Sequence, residues 1–237
     1  MVEENESADI TLLISPHLDD AVLSCGRFIA VNPGCTVLTA LAGSPPTWTI
    51  LTRWDSDCGF SLGEDVVAAR LREDATALER LGAHQLPIAG LDSQYTVAYG
   101  PQPERAGMIR EGIDSAIADL GPNACLMPLG LRHDDHKEVR RIAALVAANT
   151  NASMDWVVYE DLPYGQNDTL GENHDSAFAA YRAAGFRLTE LAPELGAMAV
   201  KSDAVEAYES QLLALRQDPD FDQKIISERY WSLGLNR

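Results

Sequence analysis

The chain has 237 residues, of which 46% are hydrophobic, and its formal net charge is −18. That length suits one large α/β domain. The charge repels phosphate backbones and anionic bilayers, which argues against nucleic-acid and membrane partners. Residues 1–9 form an acidic, polar tail without the basic and apolar regions of a signal peptide, and no apolar run reaches the length of a membrane span. The expectation is therefore a cytoplasmic protein with a short acidic tail and one domain over residues 10–237. Cys25, Cys35, Cys58 and Cys125 form no C-x-x-C pair, so a disulfide scaffold is not expected. Three of them sit in apolar contexts and read as core residues, while Cys58 reads as a loop thiol.

In chain order, Ile10, Leu12, Leu13 and Ile14 make a short apolar run that reads as a buried strand, which Pro16 ends. A helix follows, with Asp19 and Asp20 in its opening turn, where the helix dipole favours carboxylates. Residues 35–41 read as a second strand. Residues 43–63 are a long polar stretch holding Trp48 and Trp54, expected as an ordered rim or lid. Val67, Leu71, Ala75, Leu78 and Leu81 repeat at helical spacing, with Gly82 as the stop.

Residues 85–89 form a weak strand, and Asp92, Gln94 and Tyr95 fall in a loop. Helices over 104–120, 134–148 and 176–184 alternate with strands at 124–127, 156–159 and 186–190. Residues 197–200 read as an edge strand, and 204–216 and 220–229 as closing helices. Strands alternating with helices imply crossover units and a mainly parallel sheet.

Two clusters carry the chemistry. His17, Asp19 and Asp20 leave the first strand. His133, Asp134, Asp135 and His136 leave the strand at 124–127 and open a helix. His17 and Asp20 are three residues apart, as are His133 and His136, so each pair can face one way. In open α/β sheets ligands bind at the carboxyl ends of strands. Two imidazoles and one carboxylate with an open position make a catalytic zinc site. Taken separately, each cluster also reads as a capped helix terminus.

Pro16-His17-x-Asp19-Asp20 paired with His133-x-Asp135-His136 resembles the PIG-L/LmbE-like N-acetylglucosaminyl deacetylases. Arg70-Leu71-Arg72-Glu73 with Leu81-Gly82, and Lys201 with Tyr208-Glu209-Ser210-Gln211, are similar to later motifs of that family. Leu18 and Ala21 depart from its common proline and glutamate. The resemblance implies a Rossmann-like three-layer sandwich and a zinc-dependent amidohydrolase that removes an acetyl group from an N-acetyl amino sugar or glycoside. It implies one Zn2+ per chain, other divalent metals being open, on His17, Asp20 and His136. Asp19 is implied as general base and His133, in its protonated form, as the electrophilic partner of the oxyanion and the leaving amine. Asp135 is implied as a carboxylate that fixes an imidazole tautomer, and Arg70 and Asp92 as holders of sugar hydroxyls.

Residues 159–164, with Glu160 and Asp161, are expected at the pocket border without an assigned role. His84 and His174 read as surface residues. Amide cleavage of a thiol conjugate is the alternative on the same fold. A non-haem iron oxygenase would need a β-sandwich or barrel, which the alternating pattern opposes. A non-catalytic sugar-binding module would not need Asp19 beside a metal triad. The chain has neither a glycine-rich turn after the first strand nor a G-x-S-x-G motif. Oligomeric state is left open.

Overall fold

The computed structural model describes residues 10–150, 154–166 and 174–235. The acidic segment 1–9 lies outside them. Seven strands form one sheet: β1 (Thr11–Ser15), β2 (Thr36–Thr39), β3 (His84–Pro87), β4 (Ala124–Pro128), β5 (Asp155–Tyr159), β6 (Phe186–Leu191) and β7 (Tyr230–Leu235). Their order is β3-β2-β1-β4-β5-β7-β6. The first five run parallel, and β7 pairs antiparallel with both β5 and β6.

All five residues of β1 are buried, as expected of a strand covered on both faces. Alternation splits them between layers. Leu12 and Ile14 join one core cluster, with Ile109 and Ile113 of α5 (Arg105–Leu120) and Val139 and Ile142 of α6 (Asp134–Asn149). Leu13 joins the opposite cluster, with Val22 and Ile29 of α1 (Asp20–Val31) and Ala77 and Leu78 of α3 (Val66–Arg80). The result is the expected three-layer α/β sandwich.

The chain winds from β1 outward to β2 and β3, then returns to place β4 on the other side of β1. Adjacent strands β1 and β4 therefore flank a topological switch point, where crossovers leave in opposite directions and open a crevice. Both His/Asp clusters leave these two strands.

Several expectations fail here. The loop at residues 92–95 carries α4 (Ser93–Tyr99), capped by Asp92. The expected edge strand at 197–200 lies in α8 (Met198–Val205), and the helix expected over 204–216 is divided between α8 and α9 (Glu209–Leu215). Lys201 of α8 is fully buried, with Nζ donating to Ile225 O at 2.6 Å and to Glu228 Oε1 at 2.9 Å. The last expected helix shrinks to α10 (Phe221–Lys224), and β7 follows it. Between β2 and α3, α2 (Arg53–Asp57) interrupts the long polar stretch; α7 (His174–Ala183) precedes β6.

Candidate active site

Asp20, the first residue of α1, points back into the crevice. Its Oδ2 accepts from the His17 backbone N–H at 2.9 Å, lies 3.0 Å from His17 Nδ1 and stands 3.1 Å from His136 Nε2. The other nitrogen of each imidazole faces a different carboxylate. His17 Nε2 is 3.2 Å from Asp135 Oδ2, and His136 Nδ1 is 2.6 Å from Asp161 Oδ1. A carboxylate only accepts, so the short contact to Asp161 puts the His136 proton on Nδ1, and a cation at Asp20 Oδ2 would put the His17 proton on Nε2, facing Asp135. The remaining lone pairs, on His17 Nδ1 and His136 Nε2, then converge on one carboxylate oxygen. His136 Nε2 is buried without a hydrogen-bond partner among the described residues.

Lone pairs at such distances repel unless a cation lies among them. His17, Asp20 and His136 offer ligand atoms within 4.8 Å of one another, a donor set that suits a divalent metal. Without a metal, protons meet the same demand. Burial pulls His136 down, but Asp20 and then Asp161 carry it up to about 9. Burial likewise opposes protonation of His17, and Asp92, Asp135 and Asp20 overcome it. Burial would raise Asp20, yet His136 and His17 hold it well below the usual carboxylate range.

Asp19 is buried and makes no capping hydrogen bond to α1. Its backbone stands at φ 152°, ψ −36°, a costly setting for a residue with a side chain. Burial, then the charge of Asp20, pushes its carboxyl up to about 7, against the pull of Arg70 and His17. Asp19 therefore sits in the crevice as a carboxyl group poised near neutrality, and the helix-cap alternative for it fails.

His133 does cap α6, because its Nδ1 accepts from the Asp135 backbone N–H at 3.3 Å. That leaves Nε2 as the donor. Burial, then the neighbouring His17 and His136, lowers its pKa, which favours the neutral ring. The turn leading to it is tight: Gly130 has φ 77° and Arg132 φ 53°. A side chain at Gly130 would meet Arg140 Cβ at 2.9 Å.

These residues open into a cleft of 510 Å³, bordered by His17, Asp19, Asp20, Arg70, Asp92 and His133. Arg70 is buried, 3.9 Å from Asp92 Oδ2, and its Nε has no hydrogen-bond partner among the described residues. Asp92 serves twice, since it also accepts from Gln94 N at 3.0 Å as the cap of α4. Asp135 is fully buried, with Arg105 Nη1 3.1 Å from Oδ1 and Ser93 N donating to Oδ2 at 3.0 Å.

Thr52, Arg53 and Trp54 of the long polar stretch form one rim, and Trp54 Nε1 donates to Gln211 Oε1 at 3.0 Å. Val97, Pro163, Tyr164 and Leu215 add an apolar wall.

Sequence reasoning placed Asp161 at the border but gave it no role; it touches His136 directly. Its position at the end of β5, beside the switch point, was the available signal. His174 is not a surface residue: it pairs with buried Glu160 and packs near Phe178 and Trp231. His84 is exposed, as expected. Cys58 is buried, and burial pushes its thiol up to about 12, which disfavours the thiolate.

Residues 12–147 match the PIG-L family, described as GlcNAc-PI de-N-acetylase. This is more than half of the chain and includes both clusters. The chain belongs to the PIG-L family. It is 30% identical over 175 residues to the 2'-N-acetylparomamine deacetylase of Streptomyces fradiae, covering 68% of this chain and 60% of that protein. This PIG-L chain thus spans about 60% of the length of that relative.

Among solved structures, a triple mutant of a deacetylase of the teicoplanin biosynthetic pathway superposes with a TM-score of 0.78 at 25% identity. The match covers 95% of this chain and 98% of that one. A deacetylase of the pseudoaglycone of an antimicrobial reagent gives 0.77 at 29% identity, covering 97% and 98%. No helix among the described residues is long and apolar enough to cross a membrane.

Proposed function

We propose that this PIG-L chain is a zinc-dependent hydrolase that removes the acetyl group from an N-acetyl amino sugar or glycoside. The observation that carries the reading is the convergence of His17 Nδ1 and His136 Nε2 on Asp20 Oδ2, with Asp19 beside them in the same cleft. The relatives named above, a 2'-N-acetylparomamine deacetylase and two deacetylases of antimicrobial compounds, support the substrate class.

A zinc ion held by His17, Asp20 and His136 would supply a Lewis acid that polarises the acetyl carbonyl and acidifies water. Asp19 takes the proton of the attacking water. With a carboxyl near neutrality it can hold that proton and return it to the leaving amine. His133 donates from Nε2 to the developing oxyanion as a neutral imidazole, because its Nδ1 is engaged with the backbone. Asp135 holds His17 in the tautomer that leaves Nδ1 free.

Arg70 and Asp92 line the cleft where sugar hydroxyls would lie. Trp54, Val97, Tyr164 and Leu215 would cover the apolar face of the sugar or its aglycone.

The test is a mass-spectrometric screen for loss of an acetyl group. It uses zinc-loaded protein with N-acetylglucosamine glycosides, free sugars, sugar nucleotides and glycosylated natural products. Acetyl loss from at least one glycoside, abolished in Asp19→Asn, is the expected result. Turnover that persists undiminished in Asp19→Asn would overturn the assignment.

A further inference from the structure

Asp161 lies outside both sequence clusters, on the segment that leaves β5, yet its carboxylate is enclosed by three donors from the first-contact region of the site. Oδ1 is 2.6 Å from His136 Nδ1. Oδ2 accepts from Gly130 N at 2.7 Å and from Leu131 N at 3.2 Å. Asp161 and His136 are each only 1% exposed at the side chain, so no water competes for these contacts.

We infer that Asp161 is a positioning residue that fixes the tautomer of His136 and ties it to the turn carrying His133. The inference rests on the metal-hydrolase reading above, in which His136 is a ligand through Nε2.

The argument is one of hydrogen-bond direction. A carboxylate facing Nδ1 forces the proton onto Nδ1 and frees the Nε2 lone pair. Nε2 is the buried nitrogen that faces Asp20. The two backbone N–H groups on Oδ2 prevent the carboxylate from rotating away. They also anchor Gly130 and Leu131, at the head of the turn that delivers His133. A purely structural clamp would need only Oδ2; the contact from Oδ1 to His136 is the part that acts on the site.

Asp161→Asn separates the two roles. Its amide oxygen can keep both backbone N–H donors, which outnumber the single imidazole contact and so set its orientation. The amide NH2 then faces His136 Nδ1 and can only donate. That drives the ring proton to Nε2, where it blocks the lone pair. Shape and packing stay the same.

The experiment is a zinc titration against a chromophoric chelator for the unaltered chain, Asp161→Asn and His136→Ala. It is paired with thermal melting of the metal-free proteins. Zinc affinity of Asp161→Asn should fall about 10–100-fold, while the metal-free variant keeps a cooperative melting transition. Unchanged affinity in Asp161→Asn, with affinity lost in His136→Ala, overturns the inference and leaves the metal reading intact. Unchanged affinity in His136→Ala overturns the metal reading itself.

Nitrogen-15 NMR of the zinc-free, unaltered chain at alkaline pH, where the His136 ring is neutral and no metal holds Nε2, decides the matter even if Asp161→Asn fails to fold. A His136 ring protonated at Nδ1 supports the inference, and one protonated at Nε2 overturns it.

Discussion

Asp20 Oδ2 and His136 Nε2 stand 3.1 Å apart, although they are 116 positions apart in the chain. Each lies in the opening turn of a helix that follows one of two adjacent parallel strands. The sheet therefore does the work of assembly: once β1 and β4 pair, the two clusters meet.

Asp19→Asn should keep its metal and lose turnover. The amide cannot take a proton, and loss of general-base catalysis typically costs about 10²–10⁴-fold in kcat. Metal analysis beside kcat on a confirmed substrate checks this. A variant that loses its metal would instead make Asp19 a ligand.

Arg70→Met should move the acidic limb of kcat/KM to higher pH. Arg70 pulls the Asp19 carboxyl down, so without it the carboxyl rises above about 7 and Asp19 becomes a base only in more alkaline solution. A pH–rate profile that stays in place would show that Asp19 does not set that limb.

The sequence revealed the fold class and both clusters because each signal was local. The β1 run, the helix before Gly82 and the spacing of His133 and His136 need no partner to be read. The partners of Asp161 and Lys201 were not legible for the opposite reason. An aspartate after a strand looks like an ordinary turn residue until His136 is found 2.6 Å away. A lysine looks solvated until Glu228 is found beside it in the core. Asp92 shows a third case: expected in a loop and implied to hold sugar hydroxyls, it caps α4 and also borders the cleft.

The metal-free protein should lose stability as pH rises from about 6.5 to about 9. In the folded chain His136 is carried from 6.5 up to about 9, so the folded state keeps a proton that the unfolded state releases. The stabilisation is complete below 6.5 and disappears as pH passes the folded value. His17, also raised, acts in the same sense. Denaturant midpoints of chelator-treated protein across this range measure the loss. A midpoint that rises over the range would contradict the sign.

Lys201→Met should destabilise the fold by about 3–5 kcal/mol, because it leaves a buried carboxylate without its cation. Glu228 would retain Arg27 N, Phe28 N and the Tyr230 hydroxyl, but no positive charge. Adding Glu228→Gln should recover much of the loss in urea melts. A single variant as stable as the unaltered chain would show that the pair contributes little.

The most direct measurement is a zinc titration of the chelator-stripped chain beside Asp20→Ala, with bound metal counted per chain. Asp20 Oδ2 is the atom on which His17 and His136 converge. The expected result is one tight site per chain in the unaltered protein and none of comparable affinity in Asp20→Ala. One ion per chain bound with equal affinity by Asp20→Ala would contradict the account.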